Sequence, residues 1–207
     1  MTDQVYEFTN DWFNAIPKPV WETLIPQIQP KRILEIGSYE GASSTYLIEK
    51  LSPLHALEMH CVDTWSGGIE HAGTNMNEVE ARFDANMAQA QSIFPGQVTL
   101  HKHKGYSDQI LPELLVQGFR NYFDFIYIDG SHQAPDVLLD AVLSFKLLKV
   151  GGVIAFDDYL WSEQLPGGVD PIRCPKPAID AFTNIYCRKL NLIQAPLYQL
   201  YVQKSAD

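Results

Sequence analysis

Apolar positions along the chain fall into two alternating rhythms. Short continuous apolar runs alternate with longer stretches in which apolar residues recur every three or four positions, the pattern of strands followed by amphipathic helices. The segment "KRILEIGSYEGASSTYLIEKL" passes from a strand at Ile33–Ile36 through a glycine turn into a helix opened by Ser43, Ser44 and Thr45. A second strand is predicted in "MHCVDTW". The glycine-rich "SGGIEHAGTN" follows, and then a helix whose Val79, Phe83, Met87 and Ala90 share one face. "GQVTLHK" alternates as a strand, "DQILPELL" reads as a short helix, and "FDFIYID" is apolar enough to be covered on both faces, which implies a parallel sheet. Pro135 opens a further helix with Leu138, Ala141, Val142, Phe145 and Leu148 on one face, Lys146 and Lys149 near its end and Gly151 as its stop. The strand "VIAFDD" comes next, and "NLIQAPLYQLYVQK" suits an antiparallel hairpin.

This alternation predicts an α/β fold: a doubly wound, mostly parallel seven-stranded sheet (Rossmann-like) with an antiparallel C-terminal edge hairpin. Residues 1–30 carry Pro17, Pro19, Pro26 and Pro30 and a helical pattern from Val20 to Ile28, and read as a cap on a core spanning 31–207. At 207 residues and 46% hydrophobic, the chain is expected to form a single domain, 1–207. A net charge of −10 without Lys/Arg clusters disfavours nucleic acid as a partner. No leader-like N-terminus and no membrane-length apolar segment is found, so a cytoplasmic protein without a membrane partner is expected. Cys61, Cys174 and Cys187 are odd in number and lack metal spacing, and read as reduced thiols. The cap and the edge hairpin are places where a homodimer could form.

In a doubly wound sheet, ligands bind beyond the carboxyl ends of the strands. Gly37 and Gly41 allow a tight turn and close backbone approach there, but the dinucleotide fingerprint would require glycine where Tyr39 and Ala42 stand. Asp63 closes the second strand, where it can accept hydrogen bonds from a ribose diol or serve as a turn aspartate.

Taken together, "ILEIGSYEGAS", "CVDTW", "KGYSDQILPEL", "YIDGSH" and "IAFDDY" resemble the class I S-adenosylmethionine-dependent methyltransferases. The likeness runs roughly from Ile33 to Trp161. It is greatest to the metal-dependent catechol O-methyltransferase group and to small bacterial enzymes that methylate sugars or antibiotics. The resemblance implies S-adenosyl-L-methionine as cofactor. Glu35 and Gly37 would meet its methionine portion, with Ser38 and Gly41 of the same turn, and Asp129 is also expected to bind the cofactor. Tyr39 would lie beside the methylsulfonium, where a ring face attracts a cation, and Ser43 would bind the carboxylate. Asp63 would hold the ribose with Thr64 and Trp65 nearby, and Ser107 would sit at the adenine. Tyr39 replaces the middle glycine of the broad class motif, in agreement with the catechol group.

Asp129 closes "FIYID" and the pair Asp157 and Asp158 closes "VIAFDD", with one helix between them, enough for a crossover between neighbouring parallel strands. Three carboxylates at one edge would repel and raise a pKa unless a hard divalent ion neutralised them. They could instead cap the next segment or open a turn. The expected ion is Mg²⁺, with Mn²⁺ or Ca²⁺ as alternatives, and the resemblance places the group's metal ligands on the same Asp129, Asp157 and Asp158. Asp158 stands where the catechol enzyme has an amide, while the sugar-methylating relatives carry an acidic pair. His132 falls where the catechol enzyme places its lysine base. It is either a general base or a residue hydrogen-bonded to backbone, and Asp129 and His132 are the expected catalytic residues.

The resulting expectation is O-methylation of a small hydroxylated acceptor, with vicinal hydroxyls fitting best. The segments "SGGIEHAGTN" and "YLWSEQLPGG" and the region of Trp12 and Phe13 would wall the acceptor pocket. Trp65 and Trp161 are either aromatic contacts to the acceptor or ordinary packing. Two other readings stay open: metal-independent transfer to nitrogen or carbon, and a binding module without chemistry. A nicotinamide oxidoreductase is disfavoured by the missing glycines.

Overall fold

The computed structural model describes residues 6–163 and 165–207; the first five residues of the expected cap lie outside the described residues. Seven strands form one sheet: β1 (Arg32–Ile36), β2 (Leu57–Asp63), β3 (Val98–Lys104), β4 (Phe123–Ile128), β5 (Leu148–Phe156), β6 (Leu190–Ile193) and β7 (Leu200–Lys204). Their order is β3-β2-β1-β4-β5-β7-β6. The first five are parallel, and β7 is inserted antiparallel between β5 and β6. The doubly wound sheet and its edge hairpin are as the periodicity predicts.

Side chains of a strand point alternately to its two faces, so each buried strand feeds two cores. Ile33, Met59, Phe125 and Val153 face one core, covered by α1 (Trp12–Ala15), α2 (Pro17–Ile28), α3 (Ala42–Leu51) and α4 (Met76–Ile93). Leu34, Ile126, Ile154 and Val202 face the other, under α5 (Ser107–Val116), α6 (Ala134–Leu147) and α7 (Lys176–Ile185). Within α4 the four residues named from helical spacing, Val79, Phe83, Met87 and Ala90, are all buried.

The N-terminal segment is more than a cover. Trp21 of α2 is fully buried, donates Nε1–H to the Tyr201 hydroxyl at 3.0 Å and meets Phe125 and Tyr127 edge-on at 5.3 and 4.8 Å. Upstream of α1, Thr9 is tied to Glu40 through its backbone N–H (2.7 Å) and its hydroxyl (2.8 Å), and Arg82 of α4 closes on the same carboxylate at 2.6 Å. Buried Asn86 donates to the carbonyls of both Glu7 and Glu40 at 2.9 Å.

Three details depart from the periodicity. The buried stripe of α6 is Val137, Ala141, Ser144 and Phe145, while Leu138 and Val142 are only partly buried at its border. Leu148 belongs to β5, and Gly151, expected to stop α6, lies inside β5 with φ +85°. Pairing jumps there from Phe123↔Leu148 to Phe125↔Val153, so the glycine serves a bulge that resets the register. Helix α7 is absent from the reading by periodicity because its buried residues, Ala178, Ile179 and Phe182, span barely more than one turn behind Pro175 and Pro177.

Candidate active site

The parallel ladder continues one residue past several strands. Gly37 N–H bonds Val62 O at 2.8 Å, Asp129 N–H bonds Ile36 O at 2.8 Å, and Asp157 N–H bonds Ile128 O at 2.9 Å. Register therefore brings Gly37, Asp63, Asp129 and Asp157 to one edge of the sheet although they are far apart in sequence. There a cleft of about 740 Å³ opens between the strand ends, the N-terminal segment and the loop after β2, a size that accommodates a nucleoside-sized ligand. Seven carboxylates line it, and among the described residues no Lys or Arg does.

At the first strand end, Gly37 takes φ +88°, and a Cβ there would lie 1.9 Å from the Asp129 carbonyl oxygen. Only glycine lets β1 and β4 approach so closely. Asp63 accepts from the N–H groups of Ser38 (2.9 Å), Tyr39 (2.9 Å) and Trp65 (2.7 Å), so it ties the turn after β1 to the turn after β2. Tyr39 sits at φ +47°, its carbonyl holding Trp65 Nε1–H at 2.9 Å. The Tyr39 ring is stacked on His71 at 5.1 Å and flanked by Trp12 at 5.5 Å. Gly37, Ser38, Tyr39, Ser43, Asp63 and Thr64 all line the cleft, and so do Ser107 and Asp129.

Glu35, Gly41 and Trp65 do not line it. Glu35 is fully buried and receives hydrogen bonds from the hydroxyls of Ser43 (2.5 Å) and Ser44; burial raises its pKa. It braces the turn from beneath. Trp65 is buried against Phe83 with Lys102 over its ring at 4.4 Å, so it positions Tyr39 from behind. Gly41, with φ +82°, packs against Phe83 and Met87.

At the second strand end, donor atoms of Asp129, His132 and Asp158 all lie within 4.8 Å of one another. His132 Nε2 is 2.9 Å from Asp158 Oδ2, and its ring packs on Trp161 at 4.2 Å. The structure thus pairs His132 with a carboxylate. Asp157 adjoins this group, but one oxygen accepts the Tyr127 hydroxyl and the other the Asp158 N–H at 2.8 Å. Burial and then the charges of Asp157 and Asp158 push the Asp129 carboxyl well above its ordinary range. Burial and then Asp158 push Asp157 up to about 6, against the hydrogen bond from Tyr127.

Residues that the sequence reading passed over complete the walls. Glu40 and His71 flank Tyr39, Tyr198 enters from the β6–β7 hairpin, and Tyr127 anchors Asp157. Glu40 and His71 had a signal in adjoining motifs already singled out; Tyr127 looked like one more apolar strand residue.

A family model described as "Methyltransferase domain" matches residues 34–159. An uncharacterized protein of Acanthamoeba polyphaga mimivirus is 29% identical over 144 residues, covering 67% of this chain and 58% of that protein. A "Probable caffeoyl-CoA O-methyltransferase 1" of Dictyostelium discoideum is 39% identical over 54 residues, 26% of this chain and 23% of its own length. The chain therefore spans less than two thirds of either relative. Among solved structures, the O-methyltransferase TomG from Streptomyces achromogenes, described in complex with SAM, superposes with a TM-score of 0.62 at 20% identity, covering 92% of this chain and 80% of that one. No described helix is long and apolar enough to cross a membrane. With the sheet order, the acidic cleft at the strand ends and the family match in agreement, the chain belongs to the methyltransferase-domain family and has the class I methyltransferase fold.

Proposed function

We propose that the chain transfers a methyl group from S-adenosylmethionine to a hydroxyl of a small acceptor, with a divalent metal beside the acceptor site. The observation that carries this reading is a cleft lined by seven carboxylates and, among the described residues, by no Lys or Arg. Such a field favours cations, and a sulfonium and a divalent ion are both cations; a phosphate-rich ligand finds no counter-charge. The same field disfavours a CoA thioester as acceptor.

The donor set fits a metal. Asp129 and Asp158 offer oxygens within 4.8 Å of each other; burial first, and then the charges of Asp157 and Asp158, raise the Asp129 pKa, and a dication would offset both by favouring the ionised carboxylate. When bound, the cofactor supplies an activated methyl group, and the metal lowers the pKa of an acceptor hydroxyl and orients it. The chain's own residues do the rest. Asp63 and Ser107 line the nucleoside half of the cleft. Tyr39, held by Trp65 and stacked on His71, presents its ring toward the methyl-donor position. His132 receives the acceptor's proton at its imidazole, and Asp158 stabilises the imidazolium formed. Trp161 packs on His132 and walls the acceptor side.

The test is methyl transfer from S-adenosylmethionine to a panel of catechols, phenols and sugars, with Mg²⁺ or Mn²⁺ and with chelator. Product in the presence of metal, reduced at least tenfold by chelator, is expected. Chelator-insensitive transfer would overturn the metal part of the reading. Tight S-adenosylhomocysteine binding with no transfer to any acceptor would favour a binding module instead.

A further inference from the structure

A second cluster of metal-ligating side chains lies on the β2–β3 edge, and none of its members lines the cleft. Glu58 and His60 of β2 and His101 and His103 of β3 project from one sheet face, with His60 paired opposite His101. We propose that Glu58, His60 and His101 bind a transition-metal dication of the Zn²⁺ class, separate from the cleft and clamping the edge strand β3 to β2.

The donor geometry is already close to a coordination sphere. One oxygen of Glu58 and one nitrogen each of His60 and His101 lie within 4.8 Å of one another. His60 Nε2 is 3.0 Å and His101 Nε2 is 3.9 Å from Glu58 Oε1. Ligands at about 2.0–2.1 Å around a tetrahedral ion stand about 3.3 Å apart, so the two separations bracket the required one. Two imidazoles and one carboxylate, leaving a fourth position for water, form a donor set suited to Zn²⁺, Co²⁺ or Ni²⁺ rather than Mg²⁺.

The surroundings hold these donors as outer partners hold metal ligands. His60 Nδ1 lies 3.0 Å from His103 Nε2, and the Tyr122 hydroxyl donates to the second oxygen of Glu58 at 2.7 Å. If His60 carries its proton on Nδ1, it donates to His103, and the Nε2 lone pair is left free on the side of Glu58. The His60 ring is boxed by His101 at 4.3 Å and His103 at 5.1 Å, with Phe119 and Phe123 edge-on at 5.1 Å. Three imidazoles packed this way repel one another if protonated, and burial keeps His60 neutral, the form that binds metal. The His101 side chain is 43% exposed, which leaves an entry path.

The alternative is an ion-free arrangement in which His60 Nε2–H donates to Glu58 and His103 donates to Nδ1. Co²⁺ titration in excess Mg²⁺, followed by visible absorption, and thermal melting with Zn²⁺ separate the two. The comparison is between the wild-type protein, His101→Ala, Glu58→Gln and the cleft variant Asp158→Asn. The expected result is one Co²⁺ per chain with tetrahedral absorption bands, and a rise in Tm with Zn²⁺. Both should persist in Asp158→Asn and be weakened at least about tenfold in affinity in His101→Ala and Glu58→Gln. Equal Co²⁺ affinity in wild type and His101→Ala, loss confined to Asp158→Asn, or no Co²⁺ binding by the wild-type protein would each overturn the assignment. His101 is half-exposed and Glu58→Gln is nearly isosteric, so both variants are expected to fold.

Discussion

Tyr127 donates its phenolic hydrogen to Asp157 from a position that is 1% exposed, one residue before the end of β4. Burial and the nearby charges of Asp129 and Asp157 raise the phenol's pKa, so it remains a donor throughout the physiological range. A hydrogen bond to the ionised form holds the Asp157 pKa down, and without it the carboxyl would titrate above its present value of about 6. In Tyr127→Phe, protons should compete with a divalent ion more strongly. Affinity for Mn²⁺, measured by calorimetry, should fall more at pH 6 than at pH 8. Equal losses at both pH values would disconnect Tyr127 from the acidic group.

Glu40 joins the N-terminal segment, the turn after β1 and helix α4 through Thr9 and Arg82. Glu40→Ala leaves Arg82 and the Thr9 N–H without this acceptor, a loss of about 2–3 kcal/mol in unfolding free energy. Urea denaturation should show that loss, together with weaker S-adenosylhomocysteine binding, since Glu40 also lines the cleft. Wild-type stability in the variant would mean that the segment docks by apolar contact alone.

Gly37 leaves no room for a side chain against the Asp129 carbonyl. Gly37→Ala combines a backbone clash with φ +88° and should destabilise by about 3 kcal/mol or more. Thermal melting of the variant, or its failure to accumulate as folded protein, checks this.

Asp140 of α6 is buried, and burial, with the charges of Asp136 and Asp108 adding to it, pushes its carboxyl up to about 7 against a hydrogen bond with Ser107. Between an unfolded pKa of about 3.9 and the folded value, the native chain holds a proton that the unfolded chain has lost. This group's contribution to stability is therefore full below about pH 4 and lost as pH rises toward about 7. Asp140→Asn should remove that slope and raise stability at pH 8 by about 1–3 kcal/mol. Parallel denaturation curves for wild type and variant across pH 4–8 would contradict the assignment.

Much of this fold follows from local pattern. Strands β1 and β4 and the second half of β5 are dominated by buried apolar residues, and helix α4 repeats its apolar positions over several turns, so each element is recognisable without its neighbours. The strand ends carrying Gly37, Asp63, Asp129 and Asp157 follow from the same reading, because a parallel sheet aligns its carboxyl ends. Features set by register and packing were beyond that reach. Gly151 looks like a helix stop until β5 must realign with β4. Glu35 and Trp65 sit in the segments expected to meet a cofactor yet point into the interior, because a side chain's face depends on the neighbouring strand and helix.

The amino-acid order alone thus determined the element types, the doubly wound class and the sheet edge where acidic and glycine residues would gather, because periodicity and turn chemistry are local properties. Tertiary structure alone decided which donors meet. His132 reaches Asp158, Asp157 turns to Tyr127, and Glu58 with His60 meets His101 across two strands, because those distances arise only when the ladder fixes residues tens of positions apart.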